Sequence, residues 1–158
     1  MKKIIIDTDL GSDCDDVGAL AIANILANHG KCEILAVTYT TSLIFGPLCI
    51  SAVNRYYDHT YPIGVTARTD FFADESTSRY ASKMIRQFYY DVNDLQGEAV
   101  SLLRRTLSKQ KKGSVTMIFI GQLNNLSGLL DSSADQYSPL SGTELVHERV
   151  QEIVIMGG

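Results

Sequence analysis

Four stretches of this chain, KIIID (3–7), CEILAVTYT (32–40), SVTMIFIG (114–121) and QEIVIMGG (151–158), are apolar, rich in β-branched residues and free of polar alternation. Such runs are too short for helices, and their lack of a polar face means both sides must be covered. A shorter run, PIGVTA (62–67), has the same character. Between these runs lie segments with apolar residues at helical spacing: 16–29, 47–59, 78–92 and 97–110, with shorter ones at 124–131 and 143–150. Strands that alternate with helices predict an α/β fold, an open, mostly parallel sheet with helices on both faces. Five strands are expected, with residues 70–79 (DFFADESTSR) as an exposed loop.

The remaining composition narrows the function classes. Apolar residues make up 45% of the 158 positions and charged residues 20%, which excludes a disordered chain. The net charge of −4 comes without a basic block, so no nucleic-acid partner is expected. No apolar run approaches a membrane span, and with Lys2 and Lys3 followed at once by the first strand no secretory leader is expected. Cys14, Cys32 and Cys49 form no CxxC pair, so a reduced, cytoplasmic protein without a thiolate metal site is expected. His29, His59 and His147 are expected at the surface or in loops. The cluster Arg104, Arg105, Lys109, Lys111 and Lys112 reads as a solvated helix end, and the pairs Tyr56–Tyr57 and Tyr89–Tyr90 as rim packing on helices.

Chemistry concentrates just after the first strand. IIIDTDLGSDCDD places Asp7, Asp9, Asp13, Asp15 and Asp16 within ten positions, 5 of the 18 acidic residues. In an open parallel sheet this loop falls at the carboxyl end of the strands, where ligands bind. Carboxylates so close repel one another unless they are protonated, solvated or shared by a cation. Hard oxygen donors suit calcium or magnesium. One or two acids would be enough to cap a helix; five are not needed for that. An EF-hand does not fit, because counting from Asp7 puts glycines, Gly11 and Gly18, at the fifth and twelfth positions.

The opening IIIDTDLGSDCDDVGALAIA resembles that of the inosine-uridine preferring nucleoside hydrolase family, whose signature is D-x-D-P-G-x-D-D before a small, apolar helix. EILAVTYT, SVTMIFIGQLNNLSGLL and EIVIMGG resemble that family's second, fourth and fifth strands in the same order. The resemblance implies a Rossmann-like sheet and a calcium-dependent N-glycosidase that splits a ribonucleoside into base and ribose. Its transition state is an oxocarbenium-like sugar, which neighbouring negative charge stabilises. Carried over by position, Asp9 is the general base and a metal ligand, Asp16 a metal ligand, and Ile120 a ligand through its backbone carbonyl. Asp15 would lie near the ribose hydroxyls, and Asp7 would support the loop; Asn125, with Asn124 after the fourth strand, is a candidate to face the substrate or to cap the helix that follows. Leu10 stands where the family has Pro. Two extra residues precede Asp15–Asp16, so Asp13 is an alternative ligand to either of them.

The family's chains are considerably longer, and the resemblance covers only their N-terminal half. Residues 1–158 then read as a single α/β domain that ends after its fifth strand, carrying half of a site and little activity alone. So apolar a last strand, left uncovered, is expected to drive self-association into a homo-oligomer. Two other readings stand beside this one. A haloacid-dehalogenase-like phosphatase would use magnesium, Asp7 as nucleophile and Asp9 as acid/base. A non-catalytic fragment would keep only the fold.

Overall fold

The computed structural model describes residues 1–11, 13–68 and 80–157. Along the chain run β1 (Lys2–Thr8), α1 (Asp15–Asn28), β2 (Cys32–Tyr39), α2 (Phe45–Tyr56), β3 (Ile63–Val65) and α3 (Ala81–Gln87). They are followed by β4 (Leu95–Glu98), α4 (Ala99–Ser108), β5 (Val115–Phe119), α5 (Asn124–Leu130), α6 (Gly142–Arg149) and β6 (Val150–Ile155). The strands form one sheet in the order β4-β3-β2-β1-β5-β6, with every neighbouring pair parallel. This is the open α/β sheet that the apolar runs predict.

Side-chain alternation along β1 divides the core. Ile4 and Ile6 face α1 and α2, in a cluster with Leu10, Leu20, Tyr39 and Ile50. Ile5 faces the other way and joins Met117, Phe119, Leu103, Leu107, Leu129 and Leu145 beneath α4, α5 and α6. Both sheet faces therefore demand apolar residues, which is why the strands read as unbroken runs.

Three features differ from the sequence expectations. The sheet has a sixth strand, β4, because LQGE pairs with β3 at an edge where little burial is needed; Gly97 and its exposed neighbours hide the strand signal. The helix expected over 78–92 is confined to Ala81–Gln87 among the described residues, so Tyr89 and Tyr90 are not helical. The backbone extends at Phe88, and Asp91 then accepts from the Asn93 N–H to cap a short turn. Arg104, expected in a solvated cluster, is 2% exposed. Its guanidinium pairs with Asp135 at 2.8 Å and donates to Ser132 Oγ and to the carbonyls of Ser138 and Leu140, anchoring the loop between α5 and α6. The expected exposed loop, 70–79, lies outside the described residues.

A buried cation with this many partners stabilises only while they all remain. Arg104→Ala should lower the unfolding free energy by about 3 kcal/mol in guanidinium denaturation, whereas Arg105→Ala should stay within about 0.5 kcal/mol. Equal, small effects would show that Arg104 is as solvated as its neighbour.

Candidate functional site

Strand order reverses between β1 and β5: the chain moves from β1 to β2 and β3 on one side, then returns to place β5 on the other. A crevice opens at the carboxyl ends of the strands at such a reversal. Here it is bounded by the acidic loop after β1 and by the loop after β5. The cavity between them has a volume of about 310 Å³ and is lined by Asp9, Asp13, Asp15 and Asp16 on one side and Ile120, Gly121, Gln122 and Met156 on the other.

Each wall is fixed by a specific contact. Thr8, the last residue of β1, donates its hydroxyl to Asp16 Oδ1 at 2.5 Å and accepts from the Leu10 N–H at 3.1 Å. One buried hydroxyl thus links the strand end, the loop and the first turn of α1. Leu10 is fully buried, and its carbonyl accepts from the Tyr39 hydroxyl at 3.0 Å. An apolar side chain at the position of the family's Pro therefore plugs the loop into the core. Across the crevice, Gly121 lies against Asp9. A Cβ there would sit 2.7 Å from the Asp9 nitrogen and 3.0 Å from Asp9 Oδ1, so only glycine fits.

Asp7 is 1% exposed, on the opposite face of the sheet from Thr8. Its Oδ2 accepts from the Thr38 hydroxyl and from Asn125 Nδ2 at 2.9 Å. Asn125 also donates to the Tyr39 carbonyl at 3.1 Å, so it joins α5 to β1 and β2 with both bonds spent inside the protein. Asn124 is buried too and donates to the Thr40 carbonyl and Thr66 Oγ1. Neither asparagine caps α5, whose N-cap position is Leu123. Ile120 lines the cavity, and its N–H donates to the Asp7 carbonyl at 2.9 Å.

The structure brings Asp13, Asp15 and Asp16 together, with one oxygen from each lying within 4.8 Å of the others. Asp13 therefore lies beside the pair Asp15–Asp16. Asp13 and Asp15 are exposed, and Asp15 Oδ1 accepts from the Asp16 N–H. Asp9 and Asp16 are close enough to share a proton; burial raises both above the ordinary carboxylate range, with the charges of Asp13 and Asp15 adding to the effect at Asp9 and those of Asp9 and Asp15 at Asp16. Hard carboxylate oxygens this close together are of the kind that a divalent cation can share. Thr8, Thr38 and Gly121 escape the sequence reading. Thr8 leaves a trace only as the uncharged residue between two aspartates, and Gly121 only as a glycine ending a strong strand.

No protein-family model matches the chain, and no curated protein matches it significantly. Solved structures do match. Over 99% of this chain and 44% of its own, the effector protein XOO4466 superposes with a TM-score of 0.72 at 20% identity. A type III effector, XopQ, in a structure described as its complex with adenosine diphosphate ribose, gives 0.69 at 21%, over 99% of this chain and 43% of its own. A plant nucleoside hydrolase, PpNRh1, gives 0.66 at 21%, over 99% and 48%. The fold is nucleoside-hydrolase-like. The chain spans less than half the length of these neighbours, and at such identities the likeness is one of fold.

The buried Asp7 sets a pH dependence. Loss of hydration pushes its carboxyl up to about 7; the bonds from Thr38 and Asn125 lower it in part, and Asp9 and Asp16 raise it. The unfolded chain releases this proton near pH 4. Between pH 4 and 7 the folded state alone keeps it, so metal-free stability falls as pH rises through that window and levels off above it. Asp7 alone accounts for ~4 kcal/mol. Thermal melts should show a lower midpoint at pH 8 than at pH 5, and Asp7→Asn should shrink the difference. A midpoint that rises across the window would contradict a buried, protonated Asp7.

Proposed function

We propose that the acidic loop is the cation- and ribose-holding half of a nucleoside-hydrolase-type site, which serves cleavage of a ribonucleoside into base and ribose. The observation that carries this reading is the convergence of four aspartates on one cavity at the β1/β5 reversal, three of them with donor oxygens within 4.8 Å. The fold likeness to a plant nucleoside hydrolase supports it. So does a neighbour seen with adenosine diphosphate ribose, itself a ribose compound. In this reading Asp9 and Asp16 hold the cation with the Ile120 carbonyl, and Asp13 is close enough to add a further oxygen. Calcium is the proposed ion and magnesium the alternative. When bound, the ion orients ribose hydroxyls and eases deprotonation of water.

The chain's own residues define the remaining roles. Asp9, held against Gly121, is the proposed base that takes a proton from the attacking water. Asp15 is exposed at the cavity mouth, where a sugar hydroxyl can reach it. Asn125 acts through Asp7 and Tyr39, holding the loop from below. Asp7, sealed at 1% exposure, is out of reach of a phosphoryl group, which weighs against the phosphatase reading. With less than half the length of its neighbours, the chain alone is expected to bind and to turn over little.

Gly121→Ala tests this directly, since the added methyl would displace Asp9. Amide spectra of the wild-type chain should shift at residues 9–16 and 120–125 on adding ribose or adenosine diphosphate ribose, and only with calcium present. Gly121→Ala should weaken that response at least tenfold while its melting profile stays cooperative. Shifts that occur equally without calcium, or that map elsewhere, would refute the reading.

A further inference from the structure

Three buried or half-buried arginines, Arg55, Arg104 and Arg149, each meet a carboxylate: Asp91 and Asp94, Asp135, and Glu148. Arg105 is half-buried too, yet its guanidinium has no ion or hydrogen-bond partner among the described residues. It lines a cavity of about 400 Å³ together with Lys109, one turn further along at the end of α4 and likewise unpaired among the described residues. Four residues apart, the two cations stand on one face of the helix. No carboxylate lines this cavity, although the chain carries a net charge of −4. Glu33, which neighbours Lys3 in register on β2, is exposed and lies outside the lining. The helix dipole accounts for only part of the basic charge: it amounts to about half a negative charge at this end, against two cations. Lys111 and Lys112, exposed beyond the helix, are the solvated part of the cluster.

The cavity follows from how α4 meets the sheet. Gly64 in β3 lets the first turns of α4 come close, since a Cβ there would stand 2.9 Å from Ala99 Cα and 3.0 Å from Leu102 Cδ2. Beyond that contact a gap remains between the last turns of α4 and the amino ends of β3 and β4, floored by Leu35, Pro62 and Leu102. Its side walls are held in place. Gln96 Nε2 donates to the Asn93 carbonyl at 2.8 Å, and Gln110 Oε1 accepts from Lys3 Nζ at 2.8 Å. Lys3 thereby brings a third positive charge to the rim. Thr106, between the cations and Gln110, has a hydroxyl with no partner among the described residues.

We propose that this cavity binds a small phosphate monoester, at the end of the sheet opposite the acidic loop. Arg105 presents a planar fork of donors and Lys109 a compact charge, a combination that suits a doubly charged phosphoryl group better than a single carboxylate. The Thr106 hydroxyl donates a further bond to it. The volume lies within the roughly 300–1,000 Å³ of small-molecule sites, far more than a bare phosphate fills. The ligand therefore carries a compact apolar or ring-shaped body, which rests on Leu35, Pro62 and Leu102. Neither a bound cation nor the reading of the acidic cavity enters this assignment.

Phenyl phosphate combines both features and serves as the probe. Added in divalent-free buffer, it should shift amide resonances at residues 95–98 and 102–110 and leave residues 9–16 unmoved. Inorganic phosphate should act on the same residues at least tenfold more weakly, and benzyl alcohol, which lacks the charge, should leave them in place. Arg105→Ala, which is expected to keep the fold, should weaken phenyl phosphate at least tenfold, and Lys109→Gln at least threefold. Lys112→Gln should change nothing. An absence of shifts with phenyl phosphate would overturn the proposal, as would a response that is indifferent to Arg105→Ala or that maps away from α4. Inorganic phosphate bound as tightly as phenyl phosphate would overturn the assignment to a monoester.

Discussion

An aspartate that water cannot reach joins the carboxyl ends of the two central strands. Burying Asp7 is costly, which pushes its carboxyl toward the neutral form, and two hydrogen bonds to its Oδ2, from Thr38 on β2 and Asn125 on α5, offset part of the cost. Because Asn125 also holds the Tyr39 carbonyl, the end of β2 and the start of α5 are tied to one point on β1. On the other face, the Thr8 hydroxyl ties the same strand end to Asp16 at the start of α1. The acidic loop is strung between these two buried knots. Its position follows from them more than from its own residues.

That arrangement explains how so much negative charge survives in a small space. Asp7 is kept apart from the cavity by the sheet itself. Asp13 and Asp15 are hydrated, while Asp9 and Asp16 are drawn close and driven toward protonation. In the proposed reading a cation would take the place of that proton. Gly121 lets the β5 side approach Asp9 to contact distance, so the loops after β1 and β5 wall the same cavity.

Much of this was legible in the sequence, for physical reasons that differ by element. Strands buried on both faces betray themselves as apolar runs, so β1, β2, β5 and β6 could be read directly. β4 could not, because an edge strand with Gly97 and exposed side chains carries no burial signal. The aspartates were legible because charge at that density is rare without a purpose. Thr8, Thr38 and Gly121 were not, since their contributions arise from pairing across 8, 31 and more than 100 residues. Arg104 misled for the opposite reason: in sequence it sits among solvated lysines, and only the fold turns it inward to Asp135.

The most direct test of the account is calorimetric titration of the metal-free chain with calcium, repeated with magnesium and with Asp16→Asn. The account predicts one calcium per chain, weaker binding of magnesium, and loss of at least tenfold in affinity on substitution, with the fold intact. Calcium binding that is indifferent to Asp16, or no binding of either ion, would contradict it.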